Sequence, residues 1–231
     1  MPRLPRADQG YFRTPLTAVL RSPGAVRVLR ALARHGGLLA VPTLERAAGL
    51  TNAGTHRALR ALADTGVVRA EGQGRVTAYR LDAEHPLAPA IAALFAAEDA
   101  RADRVLDAVR AAATPHHPEA VWLFGSAARG EDAPGSDIDV AVVFRAGTPE
   151  AALDAVRDAI RPAEDAERVT ISVIGLWPAD VERLSAGDPL WRALERDAVP
   201  LVGPPPGLLR PGGRPSVRRR RETGGRRGGT A

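Results

Sequence analysis

Apolar positions recur at helical spacing through the first third of the chain and then alternate in short runs further on. In "SPGAVRVLRALARHGG", Ser22 stands as an N-cap and Pro23 takes the first helical position. Val26, Val28, Leu29, Leu32 and Ala33 follow on one face, and Gly36-Gly37 ends the run. "VPTLERAAGL" predicts a second, short helix opened by Thr43 and closed by Gly49. "TNAGTHRALRALADTG" predicts a third, capped by Thr51 and stopped by Gly66. The period then shortens. Val67 to Glu71, a Gly-Gln-Gly turn, and Arg75 to Leu81 read as a hairpin. A long Ala/Leu-rich stripe from about Pro86 to Ala113 reads as one helix, suited to a connector or to a homodimer seam. "ATPHHPEA" breaks it with two prolines, and the domain boundary is placed there.

Beyond residue 117 the pattern alternates between strand and helix. "AVWLF" (120–124), "DIDVAVVF" (137–144), "RVTISVI" (168–174) and "VPLV" (199–202) read as strands. Between the second and third lies "TPEAALDAVRDAIRPA", a helix with Thr148 as its cap and Pro149 in its first turn. "PADVERL" and "DPLWRALERDA" are two further helices. The fold class expected is α/β, or more strictly α+β. The expected layout is a first domain over 1–85, a connector and linker over 86–117, a second domain over 118–203 and a tail over 204–231.

Composition sharpens this layout. The 231 residues include no cysteine, which excludes disulfides and thiolate metal sites. No apolar run approaches the roughly 18 residues of a membrane span, and "MPRLPRADQGYF" has no signal-like apolar stretch. A cytoplasmic protein is expected. Every one of the 32 basic residues is arginine, and they are unevenly placed. Residues 1–85 carry a balance of +7, residues 86–203 one of −9, and residues 204–231 again +7. A polyanionic partner suits the front and the tail better than the middle. The tail, "GPPPGLLRPGGRPSVRRRRETGGRRGGTA", is expected to be disordered, with its arginines either clamping nucleic acid or simply solvated.

Three helices followed by a hairpin, with "LERAAGLTNAGTHRALRALADTGVV" at the centre, resemble a winged helix-turn-helix over residues 15–82. The stretch is similar to the multi-drug-resistance and arsenic-type bacterial repressor families. The resemblance implies double-stranded DNA as partner, with the third helix in the major groove and the wing near a minor groove. Thr51, Asn52, Thr55, His56, Arg57 and Arg60 on that helix are the expected DNA contacts. Arg75 joins them on the wing, together with Arg69 and Arg80.

The densest chemistry lies in "LFGSAARGEDAPGSDIDVAVVF" (123–144). On a strand, Asp137 and Asp139 share a face, with α-carbons about 6.5 Å apart. Two such carboxylates repel and call for a cation. Mg²⁺ takes oxygen ligands and leaves positions for phosphate oxygens, and two such ions can clamp an in-line phosphoryl displacement. Gly125 lets a backbone approach an anion closely, and the start of the following short helix offers amides. Ser126 adds a hydroxyl, and Arg129 a planar fork one turn on. The stretch closely resembles the signature of the DNA polymerase beta-like nucleotidyltransferases, in particular their minimal branch, over roughly residues 118–202. The resemblance implies a small domain with a mixed sheet and an NTP as substrate or ligand. It implies Gly125, Ser126 and Arg129 as nucleotide-binding, and Asp137 and Asp139 as catalytic Mg²⁺ ligands.

One departure stands out. The family carries a third carboxylate on a later strand. Here that strand reads "RVTISVI", with Thr170 at the expected place, or Ser172 if the register shifts by two. Glu164, Asp165 and Glu167 lie just before it. Three functions are therefore open. The first is nucleotidyl transfer to a protein or RNA acceptor. The second is a regulator whose nucleotidyltransferase-like domain senses nucleotide. The third is an antitoxin-like partner that modifies another protein.

Overall fold

In a computed structural model of the protein, which describes residues 10–72 and 77–209, the first helical spacing becomes α1 (Pro15–Val19) and α2 (Pro23–His35). Ser22 caps α2 by accepting the Ala25 N–H at 3.2 Å, and Gly36 ends it in the left-handed region. Val28, Leu29 and Leu32 turn inward and are fully buried. A two-residue strand, β1 (Leu39–Ala40), leads into α3 (Val41–Ala48). This helix opens two residues before Thr43, because Pro42 fits a first-turn position that needs no N–H. Thr51 caps α4 (Asn52–Ala63) by accepting the Gly54 N–H, as expected of it.

The hairpin strands are β2 (Val68–Glu71) and β3 (Ala78–Leu81), and β1 adds to them in the order β1-β3-β2. Arg75 lies outside the described residues, as does the tail from 210 onward. Pro206–Leu208 forms a 3-10 turn and Leu209 is buried in the core, which corrects the expectation of a disordered segment beginning at 204.

The long helix α5 (Ala88–Ala113) is a single element, but the chain divides into two compact units between its Ala102 and Asp103. Ile91 and Phe95 enter the core of the first unit. Val105, Val109, Ala112 and Ala113 enter a core of the second. Within the first unit, Arg30 of α2 bonds Glu98 at 2.7 Å and lies 5.3 Å from the centre of the Phe95 ring. Arg34 bonds Asp99.

The second unit is built on a four-stranded mixed sheet in the order β6-β5-β4-β7. Its strands are β4 (Ala120–Phe124), β5 (Ile138–Val143), β6 (Ile171–Leu176) and β7 (Val199–Val202). β4 runs antiparallel to both β5 and β7, while β5 and β6 are parallel. That parallel pair requires a crossover, supplied by α7 (Ala151–Glu167). The helix continues past Pro162 and is not capped by Thr148, whose carbonyl instead accepts the Trp177 indole N–H at 2.9 Å.

Even-numbered residues of β5, such as Val140 and Val142, pack with Val156 and Ile160 of α7 and with the second part of α5. Odd-numbered Ala141 and Val143 face the other way, toward α8 (Pro178–Ser185) and α9 (Pro189–Asp197). Trp122 fills that second layer edge-on to Trp191, with ring centres 6.0 Å apart. The short helix α6 (Gly125–Arg129) sits directly after β4 and packs on β5 and α9.

Candidate functional site

The antiparallel register of β4 and β5 places Phe124 opposite Asp139, so α6 begins beside that carboxylate. Gly125 has φ +72°, and a β-carbon there would meet the Asp139 carboxylate, with its Cγ only 3.0 Å away. Glycine is thus required twice, by its backbone conformation and by the close approach. Gly130 closes the helix: its N–H reaches the Ala127 carbonyl, and the Glu131 N–H reaches that of Ser126 at 2.9 Å.

Asp137 is exposed and Asp139 partly buried, on the odd-numbered face of β5. Burial, and then the Asp137 charge beside it, push the Asp139 carboxyl above its ordinary value. Among the described residues, no cation pairs with either aspartate and no set of three His, Cys, Asp or Glu is arranged to hold a metal. A crowded, uncompensated carboxylate pair beside a glycine that keeps the space open fits a divalent cation that draws its remaining ligands from phosphate and water.

The parallel register decides which of Thr170 and Ser172 lies beside Asp139. Asp139 stands opposite Ser172, while Thr170 lies two residues earlier, where its carbonyl accepts the Ile138 N–H at 2.9 Å. Ser172 therefore shares the Asp139 face about 4.8 Å away on the next strand. The nearby acids do not replace it. Glu164 comes from α7, on the opposite layer. Its Oε1 accepts the Ile171 N–H at 2.6 Å along the free edge of β6, where Arg157 also donates to the Val173 carbonyl. Glu167 takes a two-pronged bond from Arg104, at 2.5 and 3.1 Å, and Asp165 is exposed.

Arg129 is engaged within the protein. Its Nε donates to Glu131 at 2.7 Å and its Nη1 to Asp197 at 3.3 Å, while Arg196 grips Asp197 through two bonds. The network ties the end of α6 to the end of α9. Both carboxylates raise the Arg129 pKa, Glu131 most.

In the first unit, Asn52, His56, Arg57 and Arg60 of α4 are exposed, as is the capping Thr51. Asn52 donates to Glu45 at 2.5 Å. Thr55 corrects the expectation placed on it. It is fully buried, and its hydroxyl donates to the Thr51 carbonyl at 3.0 Å, so it packs the helix rather than facing a groove. The strand-borne wing arginines are also engaged. Arg69 meets Asp82 and Glu84 at 3.4 and 3.9 Å, and Arg80 meets Glu71 at 2.6 Å.

Two family models match this chain: that of the MarR family over residues 21–75 and that of the nucleotidyltransferase domain over residues 103–183. The chain joins a MarR-family winged helix to a nucleotidyltransferase domain. No curated protein and no solved structure matches it. The pairing makes it a DNA-binding, nucleotidyltransferase-like protein. The nucleotidyltransferase match begins at Asp103, where the second compact unit also begins, so the latter part of α5 belongs to this domain. Among the described residues, no helix is long and apolar enough to cross a membrane.

The MarR-family domain presents one cation that the residue pattern did not single out. Arg21, in the turn before α2, borders the same concavity as His56, Arg57 and Arg60. It has no periodic signal, because it lies between two helices and reaches α4 only through the fold.

Proposed function

We propose that this protein is a cytoplasmic DNA-binding regulator whose nucleotidyltransferase domain acts as a Mg²⁺-dependent nucleotide sensor. In this reading Gly125 and Ser126 receive the phosphates of an NTP, and Asp137 and Asp139 hold the ion. A bound Mg²⁺ would offset both carboxylates and link them to phosphate oxygens. Arg129, engaged by Glu131 and Asp197, ties α6 to α9 and keeps further N–H groups for a phosphate.

The observation that carries the sensor reading is Ser172 in register with Asp139. A neutral hydroxyl there neither adds charge to a metal site nor serves as a base toward an acceptor hydroxyl. Binding groups are present where a group for turnover is absent. The retained Gly125-Ser126 turn and aspartate pair favour a second reading, in which a nucleotidyl group passes from NTP to a protein or RNA acceptor.

Labelled NTPs, Mg²⁺ and cell extract, offered to the parent protein and to an Asp137→Ala/Asp139→Ala variant, separate the two. The sensor reading expects NTP binding without label transfer, together with DNA affinity that changes when NTP is added. Transfer of label by the parent alone would establish the enzyme instead. Equal NTP and Mg²⁺ binding by the variant would remove this site from either reading.

A further inference from the structure

Arg21 lies outside both the recognition helix and the wing, yet it lines a concavity of about 470 Å³ with His56, Arg57 and Arg60 on the flank of α4. We propose that this concavity seats a backbone phosphate of duplex DNA, with Arg21 as the anchoring residue. The inference rests on the DNA-binding reading of the first unit and adds where the DNA backbone is held.

The protein leaves the charge at this concavity uncompensated. Arg30, Arg34, Arg69 and Arg80 each have a carboxylate partner within the unit. Among the described residues, Arg21, Arg57 and Arg60 have none within ion-pair distance, although Asp64 stands on the rim of the same concavity. Arg21, Arg57 and Arg60 line one hollow and carry like charge, which an anion there would offset, and a phosphate accepts two parallel N–H bonds from a guanidinium fork. The concavity is also well placed. Asn52, His56, Arg57 and Arg60 form the exposed face of α4, and a phosphate held on the flank of that face would fix the depth and register of the helix in a groove. The wing strands differ. Arg69 and Arg80, the arginines on the wing strands, are neutralised by Asp82, Glu84 and Glu71. Backbone anchoring therefore moves from the wing strands to the turn before α2.

Phosphate contacts carry no sequence information, so the test needs no operator. Binding of the full chain to random-sequence duplexes is measured across a salt series for the parent, Arg21→Ala, Arg21→Lys and Arg69→Ala/Arg80→Ala proteins. Each phosphate neutralised contributes about 0.9 to the slope of log K against log salt. Arg21→Ala should weaken binding to every duplex alike and flatten the slope by about that amount. Arg21→Lys should largely restore the slope, and the double wing variant should keep the parental one. Among the described residues Arg21 has no ion-pair partner, so the melting temperature of Arg21→Ala should match the parent. A parental slope in Arg21→Ala overturns the proposal, as does a loss of slope confined to the wing variant. Absence of binding by the parent at low salt would remove the DNA-binding reading itself, whereas a binding parent with an unaltered Arg21→Ala protein removes only the phosphate seat.

Discussion

Gly125 and Ser172 flank Asp139 from two neighbouring elements, and each makes a separate prediction. A β-carbon at Gly125 meets the Asp139 carboxylate and forces an L-residue to φ +72°. Gly125→Ala should therefore cost about 1–2 kcal/mol from backbone strain alone. Under the proposed nucleotide site it should also abolish NTP-dependent thermal stabilisation, because the carboxylate must move; an unchanged NTP-induced shift in melting temperature would contradict this. Ser172→Asp returns a third carboxylate to the strand position beside Asp139. Without metal the variant should melt below the parent through added repulsion. With Mg²⁺ it should bind the ion more tightly, on the order of tenfold, since ligand charge sets affinity in such sites. Titration calorimetry with Mg²⁺ reads this directly, and equal affinity in the two proteins would show that Ser172 does not face the ion. The Gly-Ser turn and the two aspartates are legible in the chain because they lie within fifteen positions of each other on a strand–turn–strand unit. Thr55 is not legible as a packing residue: a polar side chain in the first turn of a recognition helix gives no sign of which way it points until α4 is placed.

The elements follow their local signals where those signals are complete. α2 and α4 keep the Ser22 and Thr51 caps, and β4 and β7 have the bounds that their apolar runs predict. β1 has two residues, too short for any period, and exists only through its pairing with Tyr79 and Ala78. α7 passes Pro162 and delays β6 to Ile171, because packing of Val156 and Ile160 outweighs one lost backbone bond. The link between α2 and α5 predicts a pH effect. The Arg30 hydrogen bond holds the Glu98 carboxyl below its ordinary value, against the opposing effect of burial and with help from the Arg30 charge. A lowered folded value adds stability above the ordinary glutamate range, and that stability is lost as pH falls through the lowered value. The stability difference between the parent and Arg30→Ala, read by urea unfolding, should therefore be largest near neutrality. It should shrink below about pH 4, leaving a residue from lost contact with Phe95. A difference that grows on acidification would reverse the sign of this assignment.

For the whole molecule, the division of α5 has the largest consequence. Two prolines after the helix place the sequence boundary near residue 117, but Val105 and Val109 are buried in the core beneath the second sheet. A fragment starting at 103 should melt well above one starting at 118. The two valines alone account for about 3–6 kcal/mol of burial, as an upper figure. Equal melting temperatures would assign the latter half of α5 elsewhere. The chain by itself determined the element types, the basic front and acidic middle, and the grouping of Gly125, Ser126, Asp137 and Asp139, since each depends on residues close in sequence. Tertiary structure decided the rest. It set Ser172 rather than Thr170 beside Asp139, turned Glu164 to the strand edge, bound Arg129 to Asp197, buried Thr55 and brought Arg21 to α4. Periodicity tells which residues of one element share a face. Which distant residue that face meets depends on strand register and helix packing, and those are fixed only when the cores close.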